Sequence, residues 1–72
     1  MIEIFKTNIK LKAAKNLVLA AIKQTLPGGV ATLDLEDKDN VMRVVGAWET
    51  VPTQQIIELV KQYGFTCEIL ND

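Results

Sequence analysis

The stretch Val30-Ala31-Thr32-Leu33-Asp34-Leu35-Glu36-Asp37-Lys38-Asp39-Asn40-Val41-Met42-Arg43-Val44-Val45 decides the fold. Its first seven residues alternate, with Ala31, Leu33 and Leu35 on one face and Thr32, Asp34 and Glu36 on the other. That pattern predicts a strand with one wet face. Asp37-Lys38-Asp39-Asn40 is a polar turn, and the apolar run Val41 to Val45 follows at once, so the two runs form a hairpin. Gly46 ends the second of them.

Each side of this hairpin carries a helix and then a strand. Upstream, Leu11, Ala14, Val18, Ala21 and Ile22 recur at the helical period, predicting a helix from Lys10 or Leu11 to Leu26 that Pro27-Gly28-Gly29 stops. Ile2 to Lys6 alternates as a strand, and Thr7-Asn8 breaks it. Downstream, Pro52 suits a first helical turn, Ile56, Ile57, Leu59 and Val60 supply an apolar side, and Gly64 closes the helix. Phe65 to Leu70 alternates as the last strand. The order βαββαβ predicts an α+β, ferredoxin-like domain over residues 1–72: an antiparallel four-stranded sheet in the order 4-1-3-2 with two helices on one face.

The 72 residues suffice for one small domain, and a single domain is expected over them. With Cys67 alone and no histidine, neither an intrachain disulfide nor the usual zinc sites can form, and a reducing, cytoplasmic setting is expected. No apolar run approaches the roughly 20 residues that span a bilayer, and Met1-Ile2-Glu3 lacks the basic-then-apolar order of a signal peptide. No membrane association is expected, and the chain reads as soluble. The net charge of −1 hides a split: five lysines and one glutamate give residues 1–26 a charge of +4, while three bases and eight acids give residues 27–72 a charge of −5. A nucleic-acid partner is not expected at that balance.

Phe5-Lys6-Thr7-Asn8-Ile9-Lys10, Pro27-Gly28-Gly29-Val30, the acidic second strand, Val44-Val45-Gly46, Pro52 and Tyr63-Gly64-Phe65 resemble, in this order and spacing, the heavy-metal-associated domain family. That family includes small copper chaperones and the N-terminal modules of metal-pumping ATPases, and the resemblance runs from Ile2 to Leu70. It implies a Cys-x-x-Cys pair at the start of the first helix, whose thiolates bind a soft ion such as Cu(I). Placed on the pattern, the two cysteine positions fall on Leu11 and Ala14, which have no donor atom. No metal and no cofactor are therefore expected.

Leu11 and Ala14 then extend the apolar stripe of the first helix and cap the core. A second reading is that the loop Thr7 to Lys12 keeps a docking role without the ion. Lys10, Lys12 and Lys15 support it, because cations in a first helical turn oppose the helix dipole. If Ile2, Ile4, Met42 and Val44 point at the helices, then Phe5, Val41, Arg43 and Val45 lie on the open sheet face and form a patch that a dimer or partner would cover. The second strand is a sheet edge, where Asp34 and Glu36 discourage pairing.

The other features are less specific. Asp34, Glu36, Asp37 and Asp39 lack the spacing of an EF-hand and read as a solvated hairpin tip. Cys67 reads as a core cysteine, and Trp48 either anchors an interface or lids the core. No nucleophile with a base and no carboxylate pair suggests an enzyme. The expected function is that of a heavy-metal-associated-like domain without a competent metal site, a protein-interaction or weakly homodimerising module. The alternatives are an amino-acid-type small-molecule sensor of similar topology, and metal transfer with ligands supplied by a partner.

Overall fold

A computed structural model describes residues 1–70. The elements are β1 (Ile2–Thr7), α1 (Lys12–Thr25), β2 (Gly29–Leu33), β3 (Met42–Gly46), α2 (Thr53–Gln62) and β4 (Cys67–Ile69). The strands form one sheet in the order β2-β3-β1-β4, which is the expected order read from the other edge. All three pairings are antiparallel.

Leu11 has extended backbone, and its carbonyl accepts the first helical bond from Lys15 N at 2.9 Å, so α1 begins at Lys12. The helix ends where Leu26 N bonds Ile22 O at 2.9 Å, next to Pro27. α2 follows Pro52 and stops at Gly64, whose φ of +90° places it in the left-handed region that glycine enters at little cost. Val18 and Ile22 of α1 and Ile56 and Val60 of α2 are fully buried against Phe5, Met42 and Val44 of the sheet.

β2 ends at Leu33, three residues before the expected Glu36. The carboxylates explain it. Asp34 Oδ1 accepts from Glu36 N at 2.9 Å and Asp37 Oδ1 accepts from Asp39 N at 2.8 Å, so each side chain closes a turn that competes with the strand ladder. Two of the four acidic side chains, Asp34 and Asp37, thus cap their own loop.

Trp48 serves as a lid. A Cβ built at Gly29 or at Gly46, which face each other across β2 and β3, would lie 2.3 Å from the indole. The ring occupies space that only this glycine pair leaves open, and it closes one end of the core.

Candidate functional site

The loop between β1 and α1 is pinned on three sides. Thr7 is buried at the end of β1; its N–H donates to Asp39 O at 3.1 Å and its hydroxyl to Asn40 O at 2.8 Å, while Oγ1 accepts from Ile9 N at 3.3 Å. Asn8 Oδ1 accepts from Thr66 N at 2.8 Å, tying the loop to the segment before β4. Lys10 Nζ donates to Asn40 Oδ1 at 3.4 Å. Ile9, with no exposed surface, anchors the loop in the core.

Asn40 holds the opposite side. Its φ of +45° is one that asparagine tolerates better than most residues, and its Nδ2 donates to Leu35 O at 3.3 Å. In the sequence, Thr7-Asn8 reads only as a strand break and Asn40 only as a turn residue. The available signal was that both bear short polar side chains suited to bonding a backbone.

What this platform presents is Leu11, 72% exposed. Its expected role as a core cap is corrected: the residue precedes the helix and so lies off the helical stripe. Ala14, inside α1, does pack half-buried against the core. Lys10 and Lys12 flank Leu11 in the sequence and are exposed, Lys15 is half-buried, and the first turn of α1 contains no acidic residue. Lys6 is drawn aside to Asp39, 3.8 Å from its Oδ1.

The donor chemistry at this end does not suit a soft metal. Leu11 and Ala14 offer carbon only. Cys67 lies on β4 opposite Thr7, buried, and burial pushes its thiol up to about 11, with Lys61 pulling it down and Glu68 adding to the rise. The thiolate is the form that binds metal. Among the described residues no group of three acidic or cysteine side chains converges.

The sheet faces correct a second expectation. Phe5 is fully buried and pairs with Met42 on the helix side, because β1 continues to Thr7 and its buried set is Phe5 and Thr7. Ile2, expected inside, is 55% exposed, and Ile4 is half-buried. Val41 is only 7% exposed, although it lies outside the core cluster, so it adds little apolar surface. Arg43 and Val45 are exposed as expected. The apolar row on the open face is therefore Ile2, Val45 and Val30, side by side across β1, β3 and β2.

No helix among the described residues is long and apolar enough to cross a membrane. No family model and no curated protein sequence matches the chain. Solved structures do. The yeast copper transporter domain Ccc2a, determined in apo and Cu(I)-loaded states, superposes with a TM-score of 0.78 at 25% identity, covering 99% of this chain and 96% of that one. A copper-binding domain from HMA7, a P-type ATPase, gives a TM-score of 0.78 at 26% identity, covering 97% and 93%.

Proposed function

We propose that this chain, a heavy-metal-associated-like domain, is a protein-interaction module that docks through the Leu11 end without holding a metal by its own side chains. The carrying observation is Leu11. At the position where the family pattern places its first cysteine, an apolar side chain projects into water from a loop fixed by hydrogen bonds to two other segments. An exposed leucine flanked in the sequence by the exposed Lys10 and Lys12 suits a partner with an apolar hollow and an acidic rim, the lysines steering encounter and the leucine supplying burial.

The lysines are available for that task. Only Lys10 of the two has a hydrogen-bond partner among the described residues, and that partner is the neutral Asn40. The pinned backbone favours docking because less conformational freedom is lost on binding.

Affinity capture from native cell extract tests the reading. Wild-type bait should recover a partner in the presence of a Cu(I) chelator, and Leu11→Asp bait should not. Recovery that requires Cu(I), or that is indifferent to Leu11→Asp, would refute it.

A further inference from the structure

The free edge of β2 carries an inference about a different surface. The hydrogen bond from Asp34 N to Val41 O fixes the alternation of the β2–β3 ladder, so Val30 and Thr32 point their backbone groups at β3. Gly29, Ala31 and Leu33 then point theirs away from the sheet. No segment among the described residues pairs with them.

Sheet edges are normally blunted by charge, proline or a bulge. Here Gly29-Val30-Ala31-Thr32-Leu33 contains no charge and no proline, and Asp34 and Glu36, expected to protect the edge, lie beyond the strand. Beside the edge runs a shallow groove lined by Leu19, Ala20 and Lys23 of α1 with Gly29, Val30 and Ala31. Apart from Lys23 its walls are apolar, and Val30 is 68% exposed.

We infer that β2 pairs antiparallel with β2 of a second copy of this chain, joining the two sheets into one across a two-fold axis at Ala31. Only the outward-pointing residues can exchange hydrogen bonds, so Ala31 meets the partner subunit's Ala31, and Gly29 meets the partner subunit's Leu33. The charges select a second copy in this direction. Exposed Lys23 stands at the groove beside Gly29, while exposed Asp34 and Glu36 follow Leu33 at the other end. Antiparallel pairing brings the basic end of each edge to the acidic end of the other, twice by symmetry; parallel pairing would set like against like.

The seam also extends the open-face row. Val30, in line with Val45 and Ile2, would face the partner subunit's Thr32, covering its exposed methyl groups. The paired segment is short, so the dimer is weak. It uses neither Leu11 nor the first-loop lysines, so it stands or falls independently of the docking proposal.

Sedimentation velocity from about 10 μM to about 1 mM, with amide hydrogen exchange at both ends of the range, tests the inference. Dimerisation is expected in that range, with protection of the Ala31 and Leu33 amides rising with concentration. Ala31→Pro removes an edge donor that the monomer leaves unpaired and should weaken association by about tenfold or more. Because a proline can disturb β2, a second pair is needed. Lys23→Glu should weaken the dimer, and adding Glu36→Lys, at an exposed side chain that closes no turn, should restore it. A monomer at every concentration, or a dimer in which the Ala31 and Leu33 amides stay unprotected, would overturn the inference.

Discussion

The hydroxyl of Thr7 donates to the carbonyl oxygen of Asn40 at 2.8 Å across a sequence separation of 33 residues, and both residues are buried. This bond joins the end of β1 to the β3 end of the β2–β3 connection, which is why the loop carrying Leu11 has a defined position. Thr7→Val keeps the shape and deletes the hydroxyl, leaving the buried Asn40 carbonyl and the Ile9 N–H each short of a partner. It should cost about 1–3 kcal/mol. For a domain of this size that lowers Tm by several degrees, readable by thermal denaturation.

Asn40 makes a separate contribution through its backbone. At a φ of +45°, alanine places its Cβ against the following carbonyl, a strain of about 1–2 kcal/mol that glycine does not suffer. Both substitutions lose the bonds to Lys10 and Leu35. Asn40→Ala should therefore unfold at lower denaturant than Asn40→Gly, and equal midpoints would show that the side-chain bonds alone matter.

Trp48 is the sole tryptophan, so its fluorescence reports on the core lid. Gly46→Ala places a methyl where the indole lies, and the ring must move outward. Its emission should shift to the red with a loss of stability. In a Trp48→Ala background the same Gly46→Ala change should cost much less, a coupling that a double-mutant cycle measures.

The Cys67 thiol, pushed up to about 11 by burial, should resist alkylation at about pH 7.5 in the native protein and react on unfolding. The stability consequence has a definite sign. The folded state holds its proton up to about 11, whereas the unfolded thiol ionises around its ordinary value of 9.0. The contribution of neutral Cys67 is thus fully present below pH 9.0 and is lost as pH rises towards about 11. Cys67→Ala should flatten the alkaline fall in stability over that window.

Metal binding can be switched by design. Wild type should show no Cu(I) affinity tighter than about micromolar in competition with a chromophoric chelator, since its thiol is buried and neutral. Leu11→Cys with Ala14→Cys should create stoichiometric retention, because Leu11 is exposed and Ala14 lies one helical turn away. A folded double variant that stays inert would mean that the cysteine positions of the family pattern lie elsewhere.

Phe5 and Val45 separate core from surface. Phe5→Lys should unfold the protein, a buried aromatic being worth about 3–5 kcal/mol, whereas Val45→Lys, at a side chain 47% exposed, should leave stability nearly unchanged. Denaturant titration of both variants checks the corrected strand facing.

The element order and the sheet order were legible in the residues alone, because periodicity and the proline and glycine breaks are local properties of the chain. Which side of β1 faces the helices was not. Ile2, Ile4 and Phe5 are all apolar, and only the pairing of Phe5 with Met42 above α1 and α2 selects the inward set. The end of β2 was hidden for a related reason: Asp34 and Leu35 continue the alternation, but the turns closed by Asp34 and Asp37 compete with the ladder and win. Leu11 is apolar and in phase with the helix, yet α1 starts one residue later and leaves it in water. A sequence fixes polarity and period; which of two apolar faces is covered depends on what packs across it, and that is a property of the assembled sheet and helices.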